Sequence, residues 1–494
     1  MKLPRRAFLH LAAGAAALPA ASRIAYPQSS PTGKPSEPSV RPLAERLAAY
    51  ADGMRYDDLD AATIERVKTH VIDTIGCGIG AFDEEPVGIC RNVALAVRGN
   101  ATIIGTSRRT TPDLASFANG AACRYFDFND TYVGRFSVHP SDHIAACLAV
   151  AEAERASAQE LITSIVIAYE VNCRLVDALD ITKRGWDPPV MSLPAVALAA
   201  GKLMKLSPGQ LTQAVNLAVN DHIPMAQTRV GNLSDWKGFA DAEAARNAVF
   251  VAALARGGLT GPAPIFEGES GFFKQVSGPA NIDVDRFGRR GVPFLIHRCS
   301  LKPYPAVIYT QTAIVAGIDV AREVGSLDQI AAIEIATTQR GYQRTGSEPE
   351  KWLPKTRETA DHSLPYIMAR AMFDGDITNE SFAPSMFSDP KILAFMQKIT
   401  VHEDPNLTAR VGAAPTRVTA ILADGKRISR EVDYAPGFAE RPMNRSEVER
   451  KFRGNVGNRW PQERTSAVLQ SLWALDQTDD LAPLLGRLAM QEKP

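Results

Sequence analysis

A mostly α-helical protein, in which a smaller α+β segment interrupts one large helical domain, is the fold class this sequence predicts. Three observations carry that prediction. From residue 42 to about 300 apolar residues recur at helical spacing; Ile64, Val67, Val71 and Ile75 fall at i, i+3, i+7 and i+11 on one stripe. Short β-like runs replace the pattern between about 329 and 435. Helical periodicity then returns at Ser446 and continues to the C-terminus. At 494 residues and 45% hydrophobic content the chain can bury a large core. The expected organisation is a leader over 1–29, a linker over 30–41, a helical domain over 42–300, an α+β domain over 301–440, and C-terminal helices over 441–494 that return to the first domain.

The elements follow in order. Arg5-Arg6, then Ala7-Phe8-Leu9-His10 and a mild Ala/Leu run to about Ala21, match a twin-arginine signal peptide. A spanning helix needs roughly 20 strongly apolar residues, so no stable membrane anchor is expected in the mature form. The export machinery is an expected partner, and the expected location is periplasmic or extracellular. The Pro- and Ser-rich segment that follows reads as a solvated tether. The stretch from Asp142 to Arg155 is small and apolar nearly all round, which predicts a buried helix. Another helix runs from about Ala242 to Arg256 and stops at Gly257-Gly258. The β-like runs are Ile330 to Ala336, Ile399 to His402, and Arg417 to Leu422. Asp424-Gly425 joins the last of these to Lys426–Val432 as a hairpin.

Charge and cysteine usage exclude several function classes. The chain carries 55 basic and 55 acidic residues, and loss of the leader removes Lys2, Arg5, Arg6 and Arg23, leaving a mildly acidic protein. No basic patch interleaved with aromatics is present, so nucleic acid is not an expected partner. Six cysteines are scattered through apolar helical context without a Cys-x-x-Cys pair. They read as buried, inert thiols. An iron–sulfur enzyme would need clustered thiolates, so that class is excluded.

The most informative stretch runs from Asn119 to His143, with Asn-Gly-Ala-Ala-Cys-Arg-Tyr-Phe-Asp-Phe-Asn-Asp-Thr at its start and Val-His-Pro-Ser-Asp-His at its end. It crowds Asp127, Asn129, Asp130, Thr131, His139 and His143 between two Ala-rich helical runs, as a buried acid/base site requires. Further motifs follow: Asp73-Thr74-Ile75-Gly76-Cys77-Gly78, Trp236-Lys237-Gly238, Lys302-Pro303-Tyr304-Pro305-Ala306 with Gln311-Thr312-Ala313, and Arg357 to Tyr366. Together, over about 45–470, these ordered motifs resemble the MmgE/PrpD family. The resemblance implies a large helical domain with an α+β lid, a homodimer, and no cofactor or metal. It places Asp127, Thr131, His139, Lys237 and Lys302 at family active-site positions.

A cofactor-free enzyme for a polycarboxylate, which the resemblance implies, must neutralise carboxylates and move a proton beside one of them. His139 precedes Pro140, which suits the first turn of a helix and fixes the imidazole near the Asp127–Thr131 cluster. His139 and His143 share an i, i+4 spacing that could seat a metal, but no third ligand accompanies them. Lys237 reads as a loop residue ahead of a helix, and Lys302 as the junction between helical domain and lid. Asp187, Tyr304, Arg357, Ser363 and Tyr366 are the expected substrate-binding residues, with Arg229 beside them; Tyr304 or Tyr366 would be the acid. Asp361 and His362 could form a base–orienter pair, although adjacent side chains seldom face each other. His70, His222, His297 and His402 are assigned to structure or surface.

Two departures stand out. Asp187, in Trp186-Asp187-Pro188-Pro189, takes the place of a histidine in the decarboxylase branch of the family, and Val307 and Tyr309 occupy a region where relatives carry another. The Trp-Lys-Gly and Gln-Thr-Ala runs look more like the 2-methylcitrate-dehydratase side. The resemblance therefore implies a cofactor-independent hydro-lyase acting on a small di- or tricarboxylate. Decarboxylation, epimerisation, or carboxylate binding without catalysis are the alternatives.

Overall fold

The computed structural model describes residues 41–410 and 414–490. The predicted leader and nearly all of the linker lie outside the described residues. No helix among the described residues is long and apolar enough to cross a membrane.

Helices dominate, as the periodicity requires. The stripe at Val67, Val71 and Ile75 belongs to the helix Ala61–Gly80, and Asp60 starts it by accepting the Thr63 amide at 2.7 Å. The apolar run after Ser141 forms the helix Asp142–Ala153, in which only Ala153 escapes full burial. The next helix, Ala158–Ala178, opens with a capping box between Ser157 and Glu160. These helices, with Ser192–Leu203, Pro208–Asp221 and Trp236–Arg256, enclose one hydrophobic core. The last of them starts six residues before the expected Ala242, so Lys237 sits in its first helical turn and not in a preceding loop.

A second core gathers residues between 306 and 428. Its four-stranded sheet has the order Ile399–Glu403, Ile330–Thr337, Thr416–Leu422, Arg427–Val432. The first pair is parallel and the other two antiparallel. Alternation along the central strand buries Ile333 and Ile335, which oppose Ala420 and Val418, against the helices Gln311–Val324 and Leu364–Asp374. These two helices approach closely at Gly317, where an added Cβ would lie 2.5 Å from Met368 Sδ. Gly425, at φ +85°, makes the predicted hairpin turn in a conformation that β-carbons disfavour.

Residues from Val448 to Leu488 belong to the first core, so the chain comes back to it. Phe452 is the main contact: an added Cβ at Gly76 would stand 3.0 Å from its Cδ2, showing how closely the helix Arg445–Val456 lies on Ala61–Gly80. Phe452→Ala is expected to lower unfolding stability by about 3–5 kcal/mol, read from urea denaturation. A loss under about 1 kcal/mol would mean that this contact does little for the core.

All six cysteines are buried and free. Burial pushes their thiols upward, Cys90 to about 11 and Cys147 to about 12, as expected of inert side chains.

Candidate active site

Asp127 is the centre of the site. The helix Pro112–Arg124 ends just before it, and Asp127 takes a left-handed backbone at φ 50°. For a non-glycine residue that conformation costs about 1–3 kcal/mol, a strain found mostly at functional positions. Three cations converge on its carboxylate. Arg124 bonds Oδ1, Lys302 Nζ donates to Oδ1 at 2.7 Å and to the backbone carbonyl at 2.8 Å, and Lys237 Nζ lies 3.2 Å from Oδ2. Burial alone would raise this carboxyl, but Arg124, Lys237 and Lys302 outweigh burial and hold it well below the usual carboxylate range.

Two imidazoles flank Asp127. His139 Nε2 is 3.9 Å from Oδ1 and His362 Nε2 is 3.8 Å from Oδ2. Each ring is fixed through its other nitrogen. His139 Nδ1 contacts the Asp130 carbonyl at 2.7 Å and Thr131 Oγ1 at 3.2 Å. A carbonyl only accepts, so Nδ1 carries the hydrogen and Nε2 keeps a free lone pair. His362 Nδ1 bonds Asp361 Oδ1, and Arg357 Nη1 holds the other Asp361 oxygen at 3.3 Å. Both rings are 12% exposed, enough to reach a ligand. Burial, reinforced by Arg124 and Lys302, keeps the His139 pKa well below its ordinary value. Burial and then Lys237 lower His362 to about 4. Near neutrality both imidazoles are therefore uncharged and able to accept a proton. Asp361→Asn is expected to lower turnover about 10²-fold, the low end of an acid–base contribution. Unchanged turnover would mean that His362 does not need its partner.

These groups open into a cleft of about 810 Å³, counted out to its solvent mouth. Arg124, Asp127, His139 and Asp187 line it from the earlier part of the chain, and Tyr309, Arg340, Arg344, Lys351 and His362 from the later part. Its lining is rich in cations. Asp142, beneath Arg124, is pushed well upward by burial and then by Asp241, which biases the floor further toward positive charge. Such a cleft suits an anion carrying more than one charge. Among the described residues Asp127, Asp361 and His362 could in principle hold a metal ion, yet three cations already occupy the Asp127 oxygens and would oppose it.

The structure brings most of the expected catalytic residues together and separates most of the expected substrate-binding ones. Asp127 and His139 face the cleft; Thr131, Lys237 and Lys302 are buried around them, so the lysines hold Asp127 and do not line the cleft. Asp187 lines the cleft and is paired with Arg229 at 2.8 Å. Four expectations are corrected. Tyr304 packs against the second core, with only its backbone bound to Gln311. Arg357 lies over Phe126 at 4.7 Å and Phe382 at 5.5 Å and faces a separate groove. Ser363 caps the helix Leu364–Asp374, and the Tyr366 hydroxyl is buried against the Ser381 carbonyl. In each case local packing or capping takes the side chain away from the cleft.

Asn129, Asp130 and His143 hold the frame. Asn129 bonds Ser141 and Asp142, Asp130 binds His70 and Tyr169, and His143 bonds Ser192 at 2.9 Å, which removes it from any metal pair with His139. Sequence reasoning passed over Arg124, Tyr309, Arg340 and Arg344 as site residues and set the Asp361–His362 pair aside. Arg124 at i−3 from Asp127, and the Arg340-x-x-x-Arg344 spacing, were the available signals.

Comparison with known proteins gives the family. The MmgE/PrpD N-terminal domain model matches residues 45–285, and the C-terminal domain model matches 304–475. The chain belongs to the MmgE/PrpD family. It is similar to a 2-methylcitrate dehydratase of Cupriavidus necator, 26% identical over 86% of this chain and 91% of that protein. It is also similar to the cis-aconitate decarboxylase of Homo sapiens, 24% identical over 90% and 94% of the two chains. A 2-methylcitrate dehydratase of Salmonella typhimurium is 24% identical over 84% and 90%.

Proposed function

We propose that the protein is a cofactor-independent lyase, a dehydratase acting on a small di- or tricarboxylate. One observation carries the reading: an uncharged imidazole, His139, is locked with its Nε2 lone pair toward a cation-ringed cleft. Nε2 removes the proton beside a substrate carboxylate. The negative charge that develops on that carboxylate is stabilised by Arg124 and by the field of Lys237 behind Asp127. The Tyr309 hydroxyl lines the cleft and makes no hydrogen bond to a described residue, so it is the group proposed to protonate the departing hydroxyl. Names of relatives support the same class, since they include dehydratases and decarboxylases.

A second reading, epimerisation, is favoured by the presence of a second fixed imidazole. His362 lies across Asp127 from His139 and, after taking up a proton from solvent at Nε2, would deliver it to the carbanion that His139 leaves. Twin-arginine export and a homodimeric assembly are part of the proposal, to be checked by cell fractionation and light scattering.

Proton NMR in D2O with a panel of hydroxy- and unsaturated di- and tricarboxylates tests the function. A dehydratase yields an unsaturated product, and an epimerase yields a deuterated diastereomer without one. Binding with neither product nor deuterium exchange would replace the catalytic reading with a carboxylate-binding protein.

A further inference from the structure

Arg340 and Arg344 stand one turn apart on the short helix Gln339–Thr345, so both reach the same side, and both line the cleft. The helix is firmly placed. It leaves the end of the central strand Ile330–Thr337, Thr338 caps it by accepting the Gly341 amide at 3.1 Å, and an added Cβ at Gly341 would lie 2.5 Å from Thr337 Oγ1.

Every other cation lining the cleft has a carboxylate of its own. Arg124 has Asp127, Arg229 has Asp187 at 2.8 Å, and Lys351 has Glu348 at 3.4 Å. Arg340 and Arg344 form no ion pair and no side-chain hydrogen bond with a described residue, though both are half-buried. The acid whose field Arg340 touches, Asp180, is already paired with Lys183 at 3.0 Å. Two guanidinium forks thus face one cleft with their bidentate geometry unused.

We propose that Arg340 and Arg344 clamp a second carboxylate of the substrate, distinct from the one whose neighbouring carbon loses a proton at His139. The inference rests on the carboxylate reading above and deepens it: a second carboxylate is required for tight binding, and monocarboxylates bind weakly. The clamp binds ground state and transition state alike, so its energy appears in KM and not in kcat.

Isothermal titration of the full chain with tricarballylate and with butyrate tests this. The wild type is expected to prefer tricarballylate. In the double variant R340Q/R344Q tricarballylate binding is expected to weaken about 10- to 100-fold, the value of lost charge-assisted hydrogen bonds, with butyrate binding unchanged. The variant R340K/R344K keeps both charges without the forks and is expected to fall between the two. If the double glutamine variant does not fold, R340Q and R344Q singly are each expected to lose part of the preference. Equal tricarballylate binding by wild type and glutamine variants would overturn the clamp while leaving the carboxylate reading in place. Absence of tricarballylate binding by the wild type would overturn both.

Discussion

Replacing His139 with asparagine is expected to cut turnover about 10²–10⁴-fold, the range for a positioned general base, with substrate affinity little changed. Asparagine preserves a polar side chain near the Asp130 carbonyl and Thr131, so the frame around Asp127 survives. What disappears is the Nε2 lone pair. The wild-type base is available over the whole neutral range because burial and the neighbouring cations keep His139 unprotonated there. The limb of the pH profile that belongs to His139 should therefore lie on the acid side, where protons reach that nitrogen. Steady-state rates and deuterium exchange, measured side by side, check the result. Exchange at the wild-type rate in the asparagine variant would remove His139 from the mechanism.

Lys302 is expected to give the enzyme its alkaline limit. Burial, opposed by Asp127, brings its ammonium down to about 8. Below that pH it is charged and holds Asp127 by side chain and backbone together; above it the charge goes, and with it one of the three cations that fix the carboxylate. The kcat profile should decline through about pH 8. Lys302→Arg stays charged at every accessible pH, so its profile should stay level to pH 10 even if the longer side chain lowers the absolute rate. Lys302→Met should lose about 10²–10³-fold below pH 8, comparable to loss of one electrostatic donor, and the gap to the wild type should narrow above it. A decline near pH 8 that persists in the arginine variant would assign the alkaline limit to another group.

How far the fold and site were legible in the sequence depended on the range of the interaction. The four strands and the Asp424-Gly425 turn were readable because alternation and turn chemistry are local. The helix Trp236–Arg256 was read six residues short because Trp236, Lys237 and Asp241 are polar or amphipathic; Lys237 and Asp241 are buried only through partners distant in the chain. Asp127 and His139 could be found from crowding within one stretch. Tyr304 and Tyr366 were misplaced because a hydroxyl in a motif says nothing about where the ring packs. The Asp361–His362 pair was set aside because neighbours usually diverge, whereas the helix Arg357–Ala360 ends at Asp361 and lets the two side chains meet. Arg340 and Arg344 carry a signal only once the other cations are seen to be paired.

The cleft draws its walls from two stretches of the chain, 124–233 and 307–362. In the proposed mechanism neither half of the chain owns the reaction: one brings the base and the strained aspartate, the other the second imidazole, the phenol and the arginine pair. Substrate recognition and proton transfer are thus the joint property of a seam. Its shape can be retuned toward a new acid by altering the face that carries the arginines, while the base and its carbonyl anchor on the opposite face stay as they are.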